Sequence, residues 1–175
     1  MDFLTPTLSD YASGVGSPGG EYMLSLDLLH TLTSASSSSE KMELHVEVVK
    51  GGNTGYAKYG HFAVGPASSN YALTIGEFEA AISPANDALA LANGAPWSTP
   101  SEFIGQSSAN CAQIEGSAFW LSVCNGEAMP LSLLWPFSDF NHADYIEWKM
   151  RPNSCSNGPS LACTGCEAGK YLCST

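Results

Sequence analysis

The stretch that decides the fold is Asn110-Cys111-Ala112, followed by Gly116, Phe119-Trp120 and Cys124. Its two cysteines are thirteen positions apart and enclose the aromatic pair. A loop of this length is suited to a disulfide that closes over a buried aromatic cluster. Because disulfides persist in oxidising compartments, the stretch indicates a protein that works outside the cytosol.

Further motifs lie on both sides of this stretch. In chain order they include Leu44-His45-Val46-Glu47-Val48, Tyr56-Ala57-Lys58-Tyr59-Gly60-His61-Phe62-Ala63-Val64-Gly65-Pro66, Asn86-Asp87-Ala88-Leu89, Asn93-Gly94, Trp97-Ser98-Thr99, Trp135-Pro136 and Trp148-Lys149-Met150-Arg151-Pro152. In this order and spacing, the set resembles the fibrinogen C-terminal domain, the globular module shared by fibrinogens, ficolins, angiopoietins, tenascins and horseshoe-crab lectins. The likeness covers residues 14–152, and the order of the motifs carries it.

Length and charge exclude several classes of protein. The 175 residues suit one domain with a small appendage. Seventeen acidic against six basic residues give a net charge of -11, which repels nucleic acid and anionic membrane surfaces. No apolar run is long enough for a membrane-spanning helix, so we expect no membrane insertion. Residues 1–14 lack the basic start and apolar core of a signal peptide, so we expect no export signal within this chain.

Periodicity predicts an antiparallel sheet with short helices. We expect a helix over 21–33 and a possible short helix over 85–92. Alternating apolar residues predict strands over 42–48, 56–64, 71–78 and 145–151, of which the last returns to the central sheet. The resemblance implies the same fold class, α+β: a twisted antiparallel sheet with short helices and a loop-rich, disulfide-stapled face. From the same resemblance, we expect this sequence to lack the family's opening segment.

The predicted domain boundaries follow composition. Residues 1–13 form a flexible lead-in, 14–152 the fibrinogen C-terminal-like domain, and 153–175 a cysteine-rich tail. The tail cysteines are Cys155, Cys163, Cys166 and Cys173. They allow two disulfides in three connectivities or a zinc site, and an extracellular context favours disulfides. The tail is similar to the opening of ephrin-receptor-like repeats, which suggests a chain cut from a longer multidomain protein.

Catalytic patterns are missing from the sequence. The four histidines, His30, His45, His61 and His142, stand beside no second candidate ligand or nucleophile. The carboxylates of Glu77 and Glu79 lie two apart on a predicted strand, which favours a solvated edge over an acid/base pair. We therefore predict that the protein is not an enzyme and carries no cofactor.

The resemblance also implies where a metal would bind. The family's calcium loop corresponds to the segment from Glu102 to Ala109, and in this chain the segment lacks the family's aspartates. Only Glu102 is acidic, and Phe103 and Gly105 stand at the positions of the two aspartates. Calcium needs six or more oxygen ligands, with several charges among them. We therefore expect no metal, and calcium to stabilise the chain little.

The family's ligand pocket lies beside the second cysteine, Cys124, which relatives follow with histidine and this chain follows with Asn125. An amide side chain can both donate to and accept from an acetamido group. Phe119 and Trp120 either wall this pocket or pack in the core, and packing is favoured. The resulting hypothesis is an extracellular recognition module, lectin-like or protein-binding, with N-acetylated glycans as a candidate ligand. The alternative is a structural adhesion or matrix module without a small-ligand pocket.

Overall fold

The computed structural model describes residues 5–17, 19–34, 41–105, 109–121, 124, 135 and 139–153. The helices in this part are α1 (Leu8–Ser13), α2 (Leu26–Ser34) and α3 (Cys111–Glu115). The strands are β1 (Val15–Gly16), β2 (Tyr22–Met23), β3 (Met42–Lys50), β4 (Asn53–Val64), β5 (Leu73–Phe78), β6 (Trp97–Ser98), β7 (Phe119–Trp120) and β8 (Tyr145–Pro152). Short 3-10 turns lie at Ala67–Ser69, Ala80–Ile82 and Ala90–Ala92.

The centre of the fold is a four-stranded antiparallel sheet in the order β5-β4-β3-β8. Strand β8 pairs with β3 in a register that joins Val46 to Trp148, so the last described strand returns to the middle of the chain. On β3 the side chains of Leu44, Val46 and Val48 are buried, as the alternating pattern predicts. The predicted sheet and α+β class are thereby confirmed.

Strands β3 and β4 are joined by a two-residue hairpin. Lys50 pairs with Asn53, and both intervening glycines have positive φ, 56° at Gly51 and 80° at Gly52. Such turns match the right-handed twist of the flanking strands and require residues that tolerate positive φ. The two glycines thus fix the register of the β3–β4 pair.

The alternation of β4 changes phase halfway along the strand. Ala57 and Tyr59 are buried at the start, whereas Phe62 and Val64 are buried at the end. Opposite this switch, Glu77 of β5 adopts a φ of 57°. The bend lets both ends of a long, twisted strand contribute to one core, and simple alternation does not reveal it.

The predicted flexible lead-in is wrong over 8–13, because these residues form helix α1. Thr7 and Asp10 close a capping box at its start. Tyr11 is fully buried, with its ring centroid 5.1 Å from that of Trp97. A single buried aromatic residue therefore anchors a segment that composition alone describes as a linker.

The predicted helices also differ at their bounds. Helix α2 begins at Leu26 because Tyr22–Met23, at the start of the predicted helix, pairs with β1. Of the predicted helix over 85–92, only the 3-10 turn Ala90–Ala92 forms. No helix in the described part of the chain is long and apolar enough to cross a membrane.

Candidate ligand-binding site

The candidate site is built around the disulfide between Cys111 and Cys124, whose Cα atoms are 4.8 Å apart. The bridge agrees with the sequence prediction. Cys111 is fully buried at the start of α3, whereas Cys124 is partly exposed. The disulfide therefore ties a surface position to the core.

Asn110 organises the entry to this bridge. Its Oδ1 accepts from the amide of Gln113 at 3.0 Å and so caps α3, while its Nδ2 donates to the carbonyl of Pro100 at 2.9 Å. Gly116 ends the helix with a φ of 65°, a conformation that glycine adopts without strain. One side chain thus fixes both the helix and the neighbouring loop.

Phe119 and Trp120 lie in the core. Their exposed fractions are 2% and 0%, and β7 pairs with β6 through Trp97. The indole of Trp120 donates to the carbonyl of Tyr71 at 2.7 Å and stands edge-on to Trp97, with ring centroids 4.6 Å apart. Both rings are used in packing, which was the favoured of the two interpretations.

The loop that corresponds to the family's calcium site is held by hydrogen bonds at its start. Thr99 and Glu102 form a β-bridge, with backbone N···O distances of 2.8 and 3.0 Å. The amide of Ile104 donates to Ser98 Oγ at 3.3 Å. Several backbone groups at the start of the loop are therefore engaged within the protein itself.

Ala109, the last residue of this loop, is exposed and lies beside the disulfide. Its carbonyl oxygen is 3.7 Å from Cys111 Sγ and 3.9 Å from Cys124 Sγ. Among the described residues, no group of three His, Cys, Asp or Glu side chains is placed to hold a metal ion. Because 106–108 lie outside the described residues, weak calcium binding by the loop from Glu102 to Ala109 stays a prediction.

Asn125, the residue expected to take the histidine's place, lies outside the described residues, as do 126–134. The four tail cysteines also lie outside them. The roles predicted for these positions therefore remain predictions.

Comparison with known proteins gives the chain a family. The family model for the C-terminal globular domain of fibrinogen beta and gamma chains matches residues 2–157. The chain belongs to the fibrinogen C-terminal domain family. Its matched region begins near the N-terminus and includes α1, in agreement with the burial of Tyr11.

Curated relatives of this fibrinogen C-terminal domain include large proteins. The chain is 29% identical to chicken tenascin over 163 residues, which is 85% of this chain but 8% of the tenascin. It is 31% identical to mouse tenascin over 138 residues, 79% of this chain and 6% of the relative. The chain is 31% identical to fibrinogen C domain-containing protein 1 of Macaca fascicularis, and the match covers 79% of this chain and 32% of that relative. The chain therefore spans a small part of the length of these relatives.

Solved structures share the fold. The fibrinogen-like globe domain of human ANGPTL6 superposes with a TM-score of 0.75 at 25% identity, covering 87% of this chain and 72% of that one. The corresponding domain of human ANGPTL2 superposes with a TM-score of 0.76 at 20% identity, and the match covers 87% of this chain and 75% of that one. A lamprey fibrin D-dimer was solved in complex with the peptide Gly-His-Arg-Pro-amide. It superposes with a TM-score of 0.58 at 22% identity, and the match covers 71% of this chain and 42% of that one.

In this fibrinogen C-terminal domain, His30 has a neighbour that the sequence did not predict. Its Nδ1 lies 2.8 Å from the carbonyl oxygen of Val64 and 3.0 Å from Ser34 Oγ. A carbonyl can only accept, so Nδ1 must carry the proton and cannot withdraw one from the serine. The contact is structural and does not form a nucleophile–base pair.

The outer face of the sheet carries a charge network that the motifs did not reveal. Glu43 is 4% exposed and accepts from Lys58 Nζ at 3.3 Å and from Arg151 Nε. Lys58 also contacts Glu79 at 2.8 Å, and this hydrogen bond raises the pKa of the lysine. Glu77 pairs with Lys41. The carboxylates of Glu77 and Glu79 thus have separate lysine partners, as expected of a solvated edge.

The surroundings of two tyrosines raise the pKa of their hydroxyl groups. Burial and then the neighbouring Asp87 raise the pKa of Tyr59, whose hydroxyl donates to that carboxylate at 3.0 Å. Burial and a 2.7 Å hydrogen bond to Asp27 raise the pKa of Tyr71 to about 12. Both phenols stay protonated at neutral pH. The Tyr71 hydroxyl donates to Asp27 of α2, whereas the Tyr59 hydroxyl donates to Asp87 and accepts from the amide of Leu89.

Proposed function

We propose that this domain is an extracellular recognition module that binds a protein segment beside the Cys111–Cys124 disulfide. The observation that carries the proposal is that the bridge joins a fully buried cysteine to a partly exposed one. Loops held on a rigid scaffold are the usual place for binding residues. A ligand meeting this surface would encounter Asn110 and α3, which hydrogen bonds and the disulfide hold in place, and this limits the entropy lost on binding.

The burial of the two aromatic rings favours a peptide over a sugar. Sugar pockets commonly offer an exposed aromatic face, whereas Phe119 and Trp120 are buried. The lamprey fibrin of the same fold was solved with a peptide ligand, which supports the same choice for the kind of partner. Binding without catalysis agrees with the protonated Nδ1 of His30, which cannot act as a base toward Ser34.

A weaker N-acetylated glycan interaction at the same place is the second candidate, because Asn125 supplies an amide beside Cys124. We also propose that the domain works as one part of a longer extracellular chain, since it covers 6–8% of the tenascins it matches.

The test is a titration of isotope-labelled protein, followed by NMR, with Gly-His-Arg-Pro-amide and separately with N-acetylglucosamine. We expect the peptide to shift resonances around Cys124. Asn125→Ala should weaken the binding by about 1–3 kcal/mol through the loss of a hydrogen-bond partner. The matched control is Asn53→Ala, which alters an exposed asparagine on the hairpin.

The outcomes separate the candidates. Peptide shifts that are the same in wild type and Asn125→Ala would place the site elsewhere. Sugar contacts that disappear in Asn125→Ala, with no peptide binding, would favour the glycan candidate. If neither probe binds, the domain is the structural adhesion or matrix module that was the alternative.

A further inference from the structure

The pair Asn93-Gly94 follows the 3-10 turn Ala90–Ala92 and has a chemical reactivity on which the proposed function does not depend. An asparagine side chain is open to attack by the backbone nitrogen of the next residue. Glycine hinders this attack least, because it has no side chain. Both residues are exposed, so water reaches them. The pair is therefore a candidate site of spontaneous deamidation.

The reaction needs only water as a second reactant. The nitrogen of Gly94 bonds to Cγ of Asn93, the bond from Cγ to Nδ2 breaks, and Nδ2 leaves as ammonia with the proton of the Gly94 amide. Water then opens the resulting five-membered imide at one of its two carbonyls. One opening gives aspartate. The other gives isoaspartate, in which the main chain runs through Cγ and is longer by one methylene group.

The fold holds both reacting groups away from this reaction. The amide of Gly94 donates to the carbonyl of Leu73 at 2.8 Å, and Asn93 Oδ1 accepts from the amide of Ile75 at 3.0 Å. The ψ of Asn93 is 125°, an extended value that turns the Gly94 nitrogen away from the Asn93 side chain. Formation of the imide therefore requires that residues 93–95 first detach from β5.

The contacts between β5 and residues 93–95 depend on the length of the main chain. Besides the two bonds just described, the amide of Leu73 donates to the carbonyl of Ala95 at 3.0 Å. An added methylene group between Asn93 and Gly94 shifts Gly94 and Ala95 relative to Asn93, so isoaspartate cannot restore the whole set. Aspartate keeps the original length, and its carboxylate still accepts from the amide of Ile75.

The residues that follow this segment support the candidate binding site. The carbonyl of Pro96 accepts from the amide of Leu121 at 3.2 Å. Strand β6 begins at Trp97, which pairs with Trp120 of β7. Strand β7 precedes Cys124 in the chain. A displacement of residues 93–95 therefore acts directly on the strand pair that leads to the disulfide.

We propose that Asn93-Gly94 is a deamidation site that β5 protects, and that conversion of Asn93 to isoaspartate detaches residues 93–95 from β5 and loosens the β6–β7 pair. Only molecules in which residues 93–95 have opened can react, so the rate of conversion follows the local stability of this part of the fold. The modification changes the domain beside the disulfide whichever ligand that surface binds.

The first test measures the rate of conversion. The full chain is incubated at neutral pH, folded or unfolded in guanidinium chloride, and peptide mapping by mass spectrometry follows aspartate and isoaspartate at position 93. We expect Asn93 to convert about tenfold or more faster in the unfolded chain. The reference is the exposed pair Asn53-Thr54, whose second residue is β-branched and should convert more slowly in the unfolded chain. Equal rates at Asn93 in the two states, or no conversion in the unfolded chain, would overturn the proposal.

The second test measures the consequence by amide hydrogen exchange in NMR, on aged wild type and on equally aged Asn93→Asp. The variant introduces the same charge without the added methylene group, and the pairs Asn125-Gly126 and Asn157-Gly158 age alike in both proteins. We expect exchange at Leu73 and Ile75 to rise about tenfold or more in the isoaspartate fraction, with a rise at Leu121, and to stay unchanged in Asn93→Asp.

Unchanged exchange at Leu73 and Ile75 in the isoaspartate fraction would overturn the proposal. An equal loss of protection in Asn93→Asp would also overturn it, because the charge and not the longer main chain would then open the edge of β5.

Discussion

Gly55 shows how one residue without a side chain positions a distant segment. A Cβ atom at this site would lie 2.4 Å from two ring carbons of Phe140. The ring of Phe140 therefore lies directly on the backbone of β4. The segment that it belongs to is also held by Lys50, whose Nζ donates to the carbonyl of Asn141 at 2.6 Å.

We expect Gly55→Ala to destabilise the protein by about 1–3 kcal/mol, because the Phe140 ring must leave its place on the strand. The measurement is chemical denaturation followed by tryptophan fluorescence. Gly76→Ala is the control, since a Cβ atom there meets nothing within 4 Å. Equal effects of the two substitutions would mean that strand propensity, and not the ring contact, sets the cost.

His45 makes stability depend on pH. Burial, followed by the charge of Lys149 in the opposite position of β8, lowers the pKa of this imidazole below its ordinary value of 6.5. The charge of Arg151 also lowers the pKa of His45, whereas the carboxylates of Glu47 and Glu43 raise it. Protonation therefore costs more in the folded state than in the unfolded state.

The unfolded chain binds more protons than the folded chain between the lowered pKa and 6.5, so the free energy of unfolding rises with pH across this window. The contribution of His45 to the free energy of unfolding is fully present above pH 6.5, and it is lost as the pH falls toward the lowered pKa. We expect His45→Gln to reduce the difference in the free energy of unfolding between pH 7 and pH 5, whereas His142→Gln should keep it. If the free energy of unfolding of His45→Gln changes with pH as steeply as that of the wild type, the pH dependence arises from carboxylates and not from His45.

At the scale of elements, the sequence predicts the strands correctly wherever one face of the sheet is apolar. β3 follows alternation from Leu44 to Val48 because one side meets the core, while on the other side Glu43 is buried by its ion pairs with Lys58 and Arg151. The bend of β4 escaped prediction because it depends on Gly60 lying against Glu77, a contact between different strands. The 3-10 turn Ala90–Ala92 replaced a predicted helix because hydrogen bonds to β5 hold the residues after it.

Part of the candidate site could also be predicted. The cysteine spacing indicated the disulfide, and the aromatic pair indicated a core. The role of Asn110 in tying α3 to Pro100 could not be read from the sequence, because it needs the loop geometry. The sheet charge network likewise joins Glu43 to Arg151, which are 108 positions apart.

Removing the disulfide tests the element that carries the proposed site. We expect Cys111→Ala/Cys124→Ala to lower the free energy of unfolding by about 3 kcal/mol, because the unfolded chain regains the freedom of the closed loop. Urea denaturation of both proteins measures the difference. Ser117 is fully buried inside the same loop, so Ser117→Ala serves as a control that changes the loop without opening it. A loss below about 1 kcal/mol in the double-cysteine variant would mean that packing alone orders the loop.

At the scale of the whole molecule, we expect residues 154–175 of the predicted tail not to pack on the domain. Residues 154–175 contain few large apolar side chains, chiefly Leu161, Tyr171 and Leu172, which cannot offset the entropy of ordering them on the domain. We expect deletion of 154–175 to leave the melting temperature of the domain nearly unchanged in calorimetry. A fall of many degrees would place the domain boundary further along the chain.

The pairing of β3 with β8 also bears on synthesis. Strands β3, β4 and β5 are neighbours in sequence and can assemble soon after they leave the ribosome, whereas the partner of Glu43 arrives 108 residues later. Until then one edge of β3 is bare, and Leu44, Val46 and Val48 lack their cover from β8. The nascent chain is therefore most exposed to aggregation just before β8 is made, and a chaperone that holds this edge would act in that interval.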